Sequence, residues 1–202
     1  MTEGGYDLER ELILTGIGGQ GVQLAAQVLA RAAALEGRAV MLFGVYSGMM
    51  RGGNSDSTLV VADEAVEAPP LISSSWSAIV MHHKFWPPLS TKLRAGGVAM
   101  VNSSLFEGDP DRVRYRVFEV PATDLAAELD MPMAASMVMA GAYAAVTGLV
   151  QVESVIAGMR ESLPPYRQQH AAGNERAIRA GFEAAEQRGS RLAAPAWEPV
   201  PA

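Results

Sequence analysis

The stretch ELILTGIGGQGVQLAAQVLARAAALEG, residues 11–37, decides the fold. Residues 11–15 (ELILT) form a short apolar run of the length a buried strand needs. A glycine cluster follows. Residues 19–35 are rich in Ala and Leu and contain no proline, so they predict a helix. Gly37 stands where a glycine in left-handed conformation ends a helix. Residues 38–45 carry the apolar VMLF and predict a second buried strand. Strand, Gly-rich turn, helix and strand together open a doubly wound α/β fold.

The rest of the chain extends that pattern. Residues 57–61 (STLVV), 78–81 (AIVM), 98–102 (VAMVN) and 114–120 (RYRVFEV) are further strand candidates. The last alternates polar and apolar residues, which suits a half-buried or edge strand. Residues 46–54 (YSGMMRGGN) and 64–75 read as loops. Pro87 and Pro88 limit residues 84–93 to a short helical piece. Helices are expected over 123–129, with Thr123 as N-cap, and over 134–147, 152–162 and 174–188. The expected architecture is one Rossmann-like domain over residues 1–188. Its sheet is mostly parallel, with helices on both faces. An extended Pro/Ala-rich tail spans residues 189–202. Trp197 in that tail is either a plug for a partner surface or an exposed residue.

Composition narrows the function. The chain has 202 residues, 49% of them hydrophobic, enough for a sizeable core. A net charge of −6 without a basic run argues against nucleic acid, whose phosphates need clustered Lys and Arg. The sequence has no cysteine. That excludes disulfides, thiolate zinc sites, a Cys nucleophile and Cys-ligated iron–sulfur clusters in this chain. The polar N-terminus lacks the pattern of a signal peptide, so a cytoplasmic location is expected. Residues 131–152 carry no charge and are long enough to cross a bilayer. They are dominated by small residues, however, with Pro132 near the start. A buried helix is the better reading, with no membrane contact.

Gly16-Ile17-Gly18-Gly19-Gln20-Gly21 satisfies G-x-G-x-x-G between a strand and a helix. Glycine permits a tight turn there and lets backbone N–H groups approach a phosphate at the positive end of a helix. The same glycines would also serve if they only let the helix pack closely on the sheet. A NAD site further wants an Asp or Glu at the end of the second strand. That strand ends Phe43-Gly44-Val45-Tyr46, and between Glu36 and Asp63 the only acid is Asp56, which disfavours a standard NAD site.

A second motif, Arg51-Gly52-Gly53-Asn54-Ser55, falls in the next loop. Loops at the carboxyl ends of strands in an open α/β sheet share one crevice. Arg51 would bring a fixed cationic fork, and Asn54 and Ser55 neutral hydrogen-bonding groups. Alternatively this is a Gly-rich turn with a solvated Arg. His82 and His83 close the fourth strand on opposite sides of it, so they make no metal pair. Lys84 and Arg51 are the cations expected near the crevice.

GIGGQGV at 16–22 together with MRGGNS at 50–55 resembles the gamma subunit, or gamma domain, of 2-oxoacid:ferredoxin oxidoreductases, the pyruvate, 2-oxoglutarate and indolepyruvate oxidoreductase family. The resemblance continues in the Ala-rich helix, in Gly96-Gly97-Val98 through Asn102-Ser103-Ser104, in Met137–Ala142, and in Asn174-Glu175-Arg176-Ala177 with Gly181. It implies an accessory subunit of a complex that decarboxylates a 2-oxoacid oxidatively to an acyl-CoA. It also implies that thiamine diphosphate with Mg, and the iron–sulfur clusters, sit in alpha, beta and ferredoxin-like partner chains, while the gamma chain helps to enclose coenzyme A. The residues implied for that contact are Gly16, Gly18, Gly19, Gln20, Gly21, Arg51, Gly52, Gly53, Asn54 and Ser55. No catalytic residue and no metal ligand is assigned to this chain, and no G-D-G…N segment for thiamine diphosphate is present. Two other readings stand beside this one. One is a free-standing NAD(P) oxidoreductase, in which Arg51 would meet a 2′-phosphate. The other is a purely structural subunit without ligand.

Overall fold

The computed structural model describes residues 8–46, 52–67 and 72–198. The first strand, β1 (Glu9–Ile17), leads through the glycine turn into α1 (Val22–Leu35). The helix ends as its sequence predicts. Gly37 has φ +81°, its N–H donates to Ala34 O, and Arg38 N–H donates to Ala33 O. That pair of bonds closes the last turn. β2 (Ala39–Tyr46), β3 (Asn54–Ala62), β4 (Ser75–Val80), the short α2 (Trp86–Ser90), β5 (Leu93–Asn102) and β6 (Arg116–Val120) follow. Four helices complete the chain: α3 (Ala122–Glu128), α4 (Ala135–Thr147), α5 (Val152–Ser162) and α6 (Ala171–Gln187).

The strands form one sheet in the order β2-β3-β1-β4-β5-β6. β1, β4, β5 and β6 run parallel, and β3 runs antiparallel to both β1 and β2. The sheet is therefore mixed but mostly parallel, as expected. The departure is the inserted β3, which separates the first two parallel strands. β6 lies at the edge, in keeping with its alternating sequence.

Alternate strand residues supply two cores. Leu12, Leu14, Leu59, Val61, Ile79 and Met100 face α1 and the helices from α3 onward. Ile13, Val60, Ala78, Val80 and Val101 face the other way, where Trp86 and Leu89 of α2 and Tyr115 cover them. Helices thus occupy both faces, unequally. Every residue of α4 is buried, which accounts for the uncharged stretch around it. Among the described residues no helix is long and apolar enough to cross a membrane.

Two local expectations change. Thr123 does not cap α3. The cap comes from Asn102 at the end of β5, whose Oδ1 accepts from Ala122 and Thr123 N–H at 3.1 and 3.3 Å. Its Nδ2 donates to Met81 O and to Thr123 Oγ1. A fully buried Asn with all of these bonds locks β4, β5 and α3 together. Trp197, moreover, is half-buried against its own chain. Its Nε1 donates to Leu149 O at 2.9 Å, and the Arg38 guanidinium lies 3.8 Å above its ring centre. Leu192 and Ala196 N–H bond to Val146 O and Thr147 O, so the segment after α6 is laid along the end of α4.

Candidate functional site

The glycine turn forms at the carboxyl end of β1. Gln20 N–H donates to Ile17 O at 3.0 Å, and Gly19, at the third position of that turn, has φ +105°. Such a φ is open to glycine and costly for other residues. The Gln20 side chain folds back, and its Oε1 accepts from Ile17 N–H at 2.7 Å. Gly21 has φ +78° and caps α1 without a side-chain bond. A Cβ on Gly21 would lie 2.3 Å from Ser136 Oγ at the start of α4. A Cβ on Gly16 would lie 2.8 Å from Met81 Cβ and 2.9 Å from Val22 Cγ2. The glycines therefore divide their work: Gly16 and Gly21 permit close packing, and Gly19 makes the turn.

Gly18 joins the two motifs. Its N–H donates to Gly53 O at 2.8 Å. The antiparallel β3 brings its own start to the carboxyl end of β1, so both glycine segments share one edge of the sheet. Gly52, with φ +105°, has open space where a Cβ would stand. Arg51 lies outside the described residues, as do Met49 and Met50. Asn54 and Ser55 belong to β3 rather than to a loop. Ser55 is buried opposite Gly16. Asn54 Nδ2 donates to Asp56 Oδ2 at 2.7 Å, and Thr15 Oγ1 donates to Asp56 Oδ1 at 2.6 Å. Asp56 is thus an acid on the strand beside β1, with both carboxylate oxygens committed to its neighbours.

The histidine pair contributes less. His83 Nδ1 is 3.0 Å from Leu105 O, and His82 Nδ1 accepts from Lys84 N–H. Burial, and then the adjacent His83, hold the His82 pKa below its ordinary value, which disfavours a positive charge there. Among the described residues no group of three His, Cys, Asp or Glu could hold a metal ion.

A cleft of about 520 Å³, lined by none of the residues of the two glycine segments, was not legible from the motifs. Leu24 of α1, Asp130–Ala134 ahead of α4, Leu163 after α5, and Arg167, His170 and Asn174 line it. Asn174 is 8% exposed. A signal for it exists in the sequence: Asn174 falls on the buried stripe of α6 with Ala177, Ile178, Gly181 and Ala185. A polar residue on the apolar face of a helix calls for a partner.

Comparison with known proteins follows the same lines. Residues 11–184 match the family model described as pyruvate ferredoxin/flavodoxin oxidoreductase. The 2-oxoglutarate synthase subunit KorC of Methanocaldococcus jannaschii is 30% identical over 183 residues, covering 89% of this chain and 96% of that protein. The crystal structure of pyruvate oxidoreductase subunit PORC of Thermotoga maritima superposes with a TM-score of 0.70 at 27% identity, covering 87% of this chain and 96% of that one. The 2-oxoglutarate:ferredoxin oxidoreductase of Magnetococcus marinus, solved with 2-oxoglutarate, coenzyme A and succinyl-CoA bound, shares the fold. Its TM-score is 0.80 at 16% identity, over 94% of this chain and 34% of that longer chain.

Proposed function

This chain belongs to the pyruvate ferredoxin/flavodoxin oxidoreductase family, as a gamma subunit of the 2-oxoacid:ferredoxin oxidoreductases, and on that premise we propose that it is a non-catalytic subunit that helps to enclose coenzyme A. The complex it serves oxidatively decarboxylates a 2-oxoacid to an acyl-CoA. Thiamine diphosphate with Mg and the iron–sulfur clusters sit in alpha, beta and ferredoxin-like partner chains. This chain, without a cysteine, supplies none of the cluster ligands.

The observation that carries the reading is the bond between Gly18 and Gly53. It sets two glycine segments side by side at the uncapped start of α1, where backbone N–H groups and the helix dipole favour a phosphate. Gly16, Gly18, Gly19, Gln20 and Gly21 form one wall of the contact. Gly52, Gly53, Asn54 and Ser55 belong to the other, and Arg51, which lies outside the described residues, is the residue proposed to bring a positive charge. The fold is shared with an enzyme solved with coenzyme A bound. The NAD(P) reading is weaker, because the acid beside β1, Asp56, is already bonded to Thr15 and Asn54.

The test is a native pull-down of the tagged chain from its own cell extract, with a coenzyme A titration of the recovered complex. The expected partners carry thiamine- and cluster-binding chains, and the eluate absorbs as an iron–sulfur protein. Arg51→Ala should raise the KM for coenzyme A about tenfold to a hundredfold, the loss of a charged contact worth about 1.5–3 kcal/mol. An unchanged KM would leave the purely structural reading in its place.

A further inference from the structure

The two edges of the sheet are finished differently. β6, at one end, is 5 residues long, and its exposed positions are Arg116 and Glu119. Arg188 Nη1 donates to Glu119 O at 3.1 Å and covers part of that edge. Short strands, charged side chains and covering groups are how sheets keep further strands from adding. β2, at the other end, has none of these. It runs for 8 residues, AVMLFGVY, with no charge and no proline. Among the described residues no group outside β3 bonds to its backbone, so its outward N–H and C=O groups are open. Leu42 and Phe43 are 37% and 38% exposed, and successive residues of a strand point to opposite faces. A groove of about 330 Å³ between β2 and α1 is lined by Val40 and Leu42 and by Ala30, Arg31 and Ala34. An open apolar edge of this length is where another strand adds.

We propose that β2 is the seam of a symmetric dimer, in which the β2 of a second copy pairs with it antiparallel and continues the sheet. The inference does not rest on the coenzyme A reading. Charge favours a second copy at this place. The chain carries a net charge of −6, so two copies repel over much of their surface. At β2 that repulsion is absent. The strand is uncharged, and the arginines beside it, Arg31 and Arg38, are paired with Glu161 and Asp63. The side chains also match themselves. A twofold axis normal to the sheet keeps each side chain on its own face, so only residues of one face stand opposite each other. Val40 packs against the core under α1, and Met41 against the core under α2. Leu42 and Gly44 share the face of Val40, and a Cβ on Gly44 would meet Gln23 of α1. Phe43 shares the face of Met41. With the axis at Leu42, that residue meets its own copy, Val40 stands opposite Gly44, and Met41 stands opposite Phe43. A branched side chain then faces a position without one, and a thioether faces an aromatic ring. An isologous contact needs such self-matching, and β2 supplies it within its own sequence.

Sedimentation of the purified full chain should pass from monomer to dimer between about 1 and 100 μM, the range of a modest strand-pair interface. Leu42→Lys sets two like charges opposite each other and should weaken the dimer about tenfold. Leu42 is exposed, so the substitution leaves the core in place. A thiol tests the register. The sequence has no cysteine, so Leu42→Cys gives each copy a single one. Opposed residues of an antiparallel pair have Cα atoms about 4.5–5.5 Å apart, within the reach of a disulfide. Mild oxidation should therefore link Leu42→Cys into a covalent dimer about tenfold faster than Val113→Cys, whose residue is fully exposed ahead of β6. A wild type that stays monomeric throughout would overturn the proposal and leave the edge to a strand of another chain. A dimer in which Leu42→Cys links no faster than Val113→Cys would also overturn it, because the contact would then lie elsewhere.

Discussion

Gly18 N–H donates to Gly53 O across 2.8 Å, and this single backbone bond ties the turn after β1 to the segment that opens β3. Proline at position 18 removes the donor. Alanine keeps it, since its Cβ would meet Gly53 O at an ordinary 3.5 Å. Gly18→Pro should raise the KM for coenzyme A in the complex about threefold to tenfold, the worth of one hydrogen bond in positioning. Gly18→Ala should leave it within about twofold.

Glycines of α4 and α6 interlock reciprocally. A Cβ on Gly141 would lie 1.9 Å from Ile178 O, and one on Gly181 would lie 1.9 Å from Val138 O. The obstacle in both cases is backbone, which cannot rotate away. Gly141→Ala and Gly181→Ala should each cost about 2–3 kcal/mol. Thermal unfolding would register this as a drop of roughly 5–10 °C for a chain of this size.

Tyr143 governs part of the alkaline limit. Its hydroxyl is fully buried, 2.8 Å from Ser77 Oγ. Burial pushes the phenol well above its ordinary value of 10.0, and the Ser77 bond offsets this only in part. The folded chain keeps a proton that the unfolded chain loses. The folded state's advantage is therefore complete below about pH 10 and shrinks as pH rises beyond it. Denaturant melts above pH 10 should show stability falling less steeply in Tyr143→Phe than in the wild type. Native absorbance titrations of the two at 295 nm should coincide up to about pH 11, because Tyr143 adds no phenolate there.

The segment after α6 is a working part of the fold. Trp197 holds Leu149 O through its indole N–H and carries the Arg38 guanidinium on its face. Arg38 in turn pairs with Asp63. Trp197→Ala should cost about 2 kcal/mol through lost burial, one hydrogen bond and a cation–π contact. Equilibrium urea unfolding measures it. A loss below about 0.5 kcal/mol would mean that the segment is only loosely held.

The sequence displays most of the elements because each carries its own period. The pattern alone delimits residues 152–162, and uncharged small residues mark α4. The place of β3 was less visible. A parallel connection needs a crossover of a dozen or more residues, and residues 47–53 are too few for one. The clue was hidden because Asn54, Ser55 and Asp56 look like loop residues. They stand in the strand because Thr15 and Asp56 satisfy each other across it. Asn174 could have been noticed as a polar residue on an apolar helical stripe. Arg167 and His170 could not, since they meet Leu24 and Met131 only once α1, α4 and α6 are assembled.

The most direct test of the central claim is turnover with and without this chain's partners. A 2-oxoacid, coenzyme A and a ferredoxin-level electron acceptor would be supplied to the purified chain, and then to the chain recombined with its thiamine- and cluster-bearing partners. The account predicts no acyl-CoA from the chain alone and steady formation from the assembly, lost again when this chain is omitted. Acyl-CoA formed by the isolated chain would contradict it.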